Sequence, residues 1–113
     1  MRPIRWVGSS YDDLLALPED VRREIGYALY VAQNGDKAHN AKPLKGLGSG
    51  VLEVVENYDG DTYRAVYTVR FASAVYVLHA FQKKSKSGIA TPPKDMKLIE
   101  ARLKAAQRME EGE

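Results

Sequence analysis

Glu53, Arg64 and His79 are the residues of this chain whose types and spacing best suit chemistry, followed by the Lys83-Lys84 pair. Asp59-Gly60, between two runs of strand-forming residues, is a strong hairpin signal. A two-residue turn there sets Val55 opposite Arg64 and Glu53 opposite Val66. A second two-residue turn at Ala72-Ser73 sets Val66 opposite His79 and Arg64 opposite Phe81. Strand side chains alternate, so Glu53, Val55, Arg64, Val66, Thr68, His79 and Phe81 are expected on one face. Glu53 and His79 then flank Val66, with Arg64 diagonal to both.

Such a set can cleave a phosphodiester without metal. A carboxylate or neutral imidazole takes the proton of a ribose 2′-hydroxyl, and a guanidinium steadies the charge that builds on the phosphorus oxygens. Lys83 or Lys84 can hold the phosphate or ease departure of the 5′-oxygen. The same residues also fit a plain cross-strand ion pair and a hydrogen-bonded structural histidine. A one-residue change in either turn moves His79 or Glu53 to the opposite face.

The charge distribution favours an anionic partner. The net charge of +2 hides a deficit of three over residues 1–61 and an excess of eight over residues 62–108, where only Asp95 and Glu100 oppose ten basic residues. An excess of that size attracts phosphate, although a solvated helix face with a lysine loop has the same composition. Phe81 and Tyr58 are placed to stack on a base, whereas Trp6 suits a packing anchor. No P-loop spacing accompanies Lys37, Lys42 and Lys45 in their glycine-rich segment.

Composition narrows the remaining classes. At 113 residues the chain suits one domain, 1–113, and 44% hydrophobic with 28% charged residues indicates a globular fold. Cysteine is absent, which excludes disulfides and thiolate chemistry. Two histidines, His39 and His79, are too few for a histidine zinc cage without carboxylates, and no metal or other cofactor is expected. No apolar run suits a membrane span or a secretory leader, so a cytoplasmic location is expected.

The elements that must position these residues follow from periodicity. Pro3–Val7 reads as a short strand. Ser10 is the expected cap of a brief helix, with Asp13 three residues on. Pro18 suits the first turn of a second helix whose face is Val21, Ile25, Ala28, Leu29 and Ala32, stopped by Asn34-Gly35. Residues 36–50 read as loop. Strands are expected over Val51–Tyr58, Asp61–Phe71 and Val75–Gln82, with Leu52, Val54, Tyr63, Ala65, Tyr67, Val69, Tyr76, Leu78 and Ala80 facing the helical hairpin. After a basic Lys-Lys-Ser-Lys-Ser-Gly loop, Thr91 is the expected cap of a final helix carrying Met96, Ile99, Leu103 and Ala106. The class is α+β: N-terminal strand, helical hairpin, three-stranded antiparallel meander and C-terminal helix.

With these segments in view, the chain resembles the RelE/ParE superfamily of type II toxins, most closely its phage-derived HigB-like branch. The likeness runs from about Tyr11 to Ala106 and is carried by KPLKGLGSGVLE (Lys42–Glu53), TYRAVYTV (Thr62–Val69) and VYVLHAFQKKSKSGIATP (Val75–Pro92). It implies a RelE-like fold and a metal-independent, ribosome-dependent mRNA endoribonuclease (an mRNA interferase) that inhibits translation. By that likeness Arg64 matches the arginine on the scissile phosphate. Lys83 and Lys84 match the basic pair after the last strand, and Lys42 and Lys45 match the RNA-binding lysines of the preceding loop, with Lys86 and Phe81 also placed against RNA. The partners implied are mRNA, the ribosome and a cognate antitoxin, often a small helix-turn-helix protein. Where many relatives carry Glu-Leu-Arg or paired lysines, this chain has Glu53-Val54-Val55. Either His79, Lys83 and Lys84 carry more of the load or activity is reduced. The ParE branch shares the fold but poisons DNA gyrase, so a non-nuclease toxin or a non-catalytic RNA-binding regulator is the alternative.

Overall fold

The structure, a computed structural model, describes residues 1–83 and 90–112. Its organising element is the hairpin at Asp59-Gly60. Both residues lie in the left-handed region, at φ 52° and 83°, as a tight two-residue hairpin turn requires. Strands β3 (Val51–Tyr58) and β4 (Asp61–Thr68) therefore pair as the turn dictates, with Val55 opposite Arg64 and Glu53 opposite Val66.

Strand β5 (Val75–Lys83) pairs antiparallel with β4 and places Val66 opposite His79 and Arg64 opposite Phe81. The expected Ala72-Ser73 two-residue turn does not form, because β4 ends at Thr68 and the link runs from Val69 to Ala74. A bulge offsets the difference. Val66 pairs with His79 but Tyr67 pairs with Val77, leaving Leu78 as the extra residue. One inserted residue reverses which face every side chain beyond it meets. Tyr76 and Leu78, expected beneath the helical hairpin, lie instead on the opposite face, and Val75 and Val77 take their place. Strand β5 also extends one residue past expectation, which makes Lys83 a buried strand residue rather than part of the basic loop.

The expected three-stranded meander is the centre of a five-stranded mixed sheet ordered β1-β5-β4-β3-β2. Strand β1 (Ile4–Trp6) runs parallel to β5. Strand β2 (Ala41–Pro43) lies inside the segment read as loop and pairs antiparallel with β3, putting Lys42 opposite Glu53. Pro43 masks β2 in the sequence, yet an edge strand tolerates a residue without an N–H.

Helix α1 (Ser10–Leu15) is capped by Ser9, whose Oγ donates to Asp13 Oδ2 at 2.9 Å. Ser10, the expected cap, is buried in the first turn. Its hydroxyl donates to the Val77 carbonyl at 3.0 Å and accepts from the Val7 N–H at 3.1 Å. Helix α2 (Glu19–Gln33) begins one residue after Pro18, which serves as its N-cap. Its stripe of Val21, Ile25, Ala28, Leu29 and Ala32 is fully covered by Leu52, Val54, Ala65, Tyr67 and Val77 of the sheet. Each large aliphatic buried there contributes about 1.5–3 kcal/mol. Trp6 anchors the edge of this layer, its ring 4.9 Å from that of Tyr11.

Helix α3 (Pro93–Glu110) covers the other face, packing Ile99, Leu103 and Ala106 on Val66, Tyr76 and Leu78. Its N-cap is Pro92, not Thr91, whose hydroxyl is used elsewhere. The α+β class thus takes a three-layer form, with the helical hairpin and α3 on opposite faces of one sheet. Among the described residues no helix is long and apolar enough to cross a membrane.

Candidate functional site

The face beneath α3 brings Glu53, Arg64 and His79 together, each from a different strand. Arg64 Nη1 donates to Glu53 Oε1 at 2.9 Å, and the two side chains are only 4% and 2% exposed. The second carboxylate oxygen, Oε2, accepts from Thr91 Oγ1 at 2.7 Å. Both oxygens of a carboxylate inside the protein are thereby engaged, which is what burial of that charge demands. Thr91 stands two residues before α3, so the chain entering that helix delivers its hydroxyl to Glu53.

His79 stands two strands away from Glu53, with Val66 between them. Two inter-strand spacings put their backbones roughly 9–10 Å apart. His79 Nε2 lies 2.8 Å from Asp95 Oδ1 in the first turn of α3. The carboxylate only accepts, so Nε2 carries the proton. Nδ1 is buried and has no hydrogen-bond partner among the described residues. Phe81 stacks on the imidazole at 4.5 Å and 16°, which holds the ring plane.

The remaining candidates divide by exposure. Lys42 and Lys45 are exposed along the rim of an open cleft of about 500 Å³. The same cleft is lined by Leu44, Glu53, Thr91 and Met96. Lys83 is buried at the end of β5, in register with Thr62. Phe81 is half-buried and already stacked on His79, whereas Tyr58 is partly exposed beside the turn. Lys84 and Lys86 lie outside the described residues. Among those described, no group of three His, Cys, Asp or Glu side chains is placed to hold a metal ion.

Supporting contacts absent from any local pattern fix this arrangement. Arg102 of α3 donates from Nη1 to the carbonyl of Leu78, the bulge residue, at 2.9 Å, and from Nη2 to Ser9 Oγ at 2.8 Å. Gly8 makes room for it: at φ +57°, an added Cβ would sit 2.9 Å from Arg102 Nε. Arg70 clamps the glycine-rich loop through the carbonyls of Leu47, at 2.6 Å, and Ser49, at 3.0 Å. The loop following Lys45 is thereby held from the end of the sheet.

At its far end α3 is fastened by Glu110, which accepts from Ser73 Oγ at 2.5 Å and from the Tyr76 hydroxyl at 2.9 Å. The hydrogen bonds from Ser73 and then Tyr76 hold the Glu110 carboxyl below its ordinary range. Burial, reinforced by the bond to Glu110, pushes the Tyr76 hydroxyl up.

The sequence model of the phage derived protein Gp49-like family (DUF891) matches residues 12–104, most of the chain. The chain belongs to that family. The Gp49-like family is a RelE/ParE-like toxin family, associated with the RelE-type toxins of toxin–antitoxin pairs, and membership implies an antitoxin partner. A search of the curated proteins finds no match. The Gp49-like match runs from within α1 through most of α3, and so includes Lys42, Lys45, Glu53, Arg64 and His79.

Thr91 and Asp95 are the site residues that sequence reasoning missed in these roles. Asp95 left a trace as one of two acids opposing ten basic residues in residues 62–108. Thr91 left none, because its position and type suit a helix cap equally well.

Proposed function

We propose that this Gp49-like chain is the toxin of a type II toxin–antitoxin pair, a RelE-like domain of the HigB-like branch occupying 1–113. In this reading it acts in the cytoplasm as a ribosome-dependent, metal-independent mRNA endoribonuclease and so inhibits translation. The observation that carries the reading is the convergence of Glu53, Arg64 and His79 on one sheet face, beside a cleft rimmed by Lys42 and Lys45.

The chemistry is transesterification. The ribose 2′-oxygen attacks phosphorus while Glu53 or His79 takes its proton, and the bond from phosphorus to the 5′-oxygen breaks. Arg64 supplies positive charge to the phosphorane oxygens. Lys83 or Lys84 assists the departing 5′-oxygen, and the products are a 2′,3′-cyclic phosphate and a 5′-hydroxyl. Lys42, Lys45 and Lys86 hold flanking phosphates, and Phe81 offers a face for a base. An antitoxin, in this branch a small helix-turn-helix protein, covers the basic surface.

One observation favours a second reading. Arg64 is 4% exposed and bonded to Glu53, which suits a chain that does no chemistry: a ParE-like gyrase inhibitor or a non-catalytic RNA-binding regulator. Mapping cellular mRNA 5′ ends after a brief pulse of expression separates the two. The nuclease reading expects new 5′ ends within translated codons. It also expects cleavage to fall about 100- to 1000-fold in Arg64→Ala, the loss typical for one donor to a developing oxyanion, after correction for the folded fraction. Unchanged 5′ ends, with altered supercoiling or no phenotype, would select the second reading.

A further inference from the structure

The cleft between the loop after β2 and the start of α3 has a composition that goes beyond general affinity for phosphate. Its walls are chemically divided. Leu44 and Met96 supply apolar surface, Lys42 and Lys45 stand exposed at the rim, and Glu53 lies at the base with its charge tied to Arg64 and Thr91. A volume of about 500 Å³ is in the range of small-molecule sites.

We propose that this cleft binds one nucleotide unit, with the base against Leu44 and Met96, the phosphate on Lys42 and Lys45, and N–H or O–H donors directed to Glu53. The inference rests on the nuclease reading of the same site and deepens it, because it makes the cleft the seat of an individual base. Four physical points carry it. A cleft for phosphate alone has no use for an apolar wall, and one for an apolar ligand has no use for two rim lysines. Both lysines that line the cleft stand exposed at its rim, which orients the ligand with its anion outward. Each carboxylate oxygen has two acceptor positions, so Glu53 can accept a ligand donor beside the bonds from Arg64 Nη1 and Thr91 Oγ1. Met96 suits the seat because a thioether is polarisable and packs well against aromatic rings.

The test is titration of the full chain, labelled at the methionine methyls and backbone amides, with each nucleoside 5′-monophosphate, with nucleosides and with inorganic phosphate. The nucleotides should shift the Met96 methyl together with the Lys42 and Lys45 amides, and should bind more tightly than either fragment. Lys42→Ala and Lys45→Ala, both exposed and safe for folding, should each weaken nucleotide binding by about tenfold, the weight of one charge-assisted hydrogen bond. Met96→Ala should weaken nucleotides and leave inorganic phosphate unchanged. Equal affinity for phosphate and nucleotides, or shifts that bypass Met96, would overturn the proposal. Mapping of mRNA 5′ ends keeps the two ideas distinct. If the wild type cuts mRNA and Met96→Ala cuts the same sites at the same rate, the base seat fails and the nuclease stands. If nucleotides bind as described and the wild type cuts nothing, the nuclease fails and the base seat stands.

Discussion

Replacing Arg64 by alanine should destabilise the protein severely, quite apart from any effect on activity. Glu53 is 1% exposed and would be left beneath α3 with the Thr91 hydroxyl but without the guanidinium. Removing one partner of a buried ion pair costs about 3–5 kcal/mol, because the other charge stays dehydrated and uncompensated. Total stability for a domain of this size is on the order of 5–15 kcal/mol, so about a fifth or more would be lost. At about 4 °C per kcal/mol the melting temperature should fall by about 12–20 °C. The double change Glu53→Leu with Arg64→Met removes both charges and keeps the volume. It should restore stability to within about 1 kcal/mol of the wild type or above it, since paired burial gains little over good apolar packing. Urea unfolding followed by the fluorescence of Trp6, the lone tryptophan, provides the measurement. A loss under about 1 kcal/mol for Arg64→Ala, the scale of a surface pair, would refute the reasoning. So would a double variant no more stable than the single one. The double variant also serves function: a folded protein without either charge shows whether the pair acts in the proposed cleavage.

Two further outcomes follow from α3. Nitrogen shifts of the His79 ring should show the proton on Nε2, and Asp95→Ala should abolish that preference at a cost of about 1 kcal/mol; a ring protonated mainly at Nδ1 in the wild type would contradict the Asp95 contact. Glu110 ionises more readily in the fold than in the open chain, so its contribution to stability is full above the ordinary glutamate range and disappears as pH falls through its lowered folded value. Glu110→Gln should therefore flatten the acid limb of the stability profile between those two points, and a limb unchanged by the substitution would show that α3 is not fastened there.

The central register was legible before any tertiary contact. Asp59-Gly60 admits a tight turn because both residues accept positive φ, and that turn places Glu53 and Val55 opposite Val66 and Arg64. The face shared with His79 and Phe81 was also right, although the turn invoked for it does not form; the bulge at Leu78 restores the pairing that a longer link would otherwise shift. The same bulge defeated the assignment of Tyr76 and Leu78, because nothing in the residue types of Val75–Lys83 marks where an extra residue will sit.

The identities of the candidate site residues, the stripes of α2 and α3 and the basic excess over residues 62–108 are properties of sequence, since they depend on residue type and local spacing. Their state is not. Whether Arg64 meets solvent or a carboxylate, and which ring nitrogen of His79 carries its proton, depend on Thr91, just ahead of α3, and Asp95, in its first turn, arriving with a helix that begins ten residues beyond the end of β5. Those meetings are set by how α3 lies on the sheet, held by Arg102 at the bulge and by Glu110 at its far end. Burial and pairing are collective consequences of packing, and only the folded chain decides them.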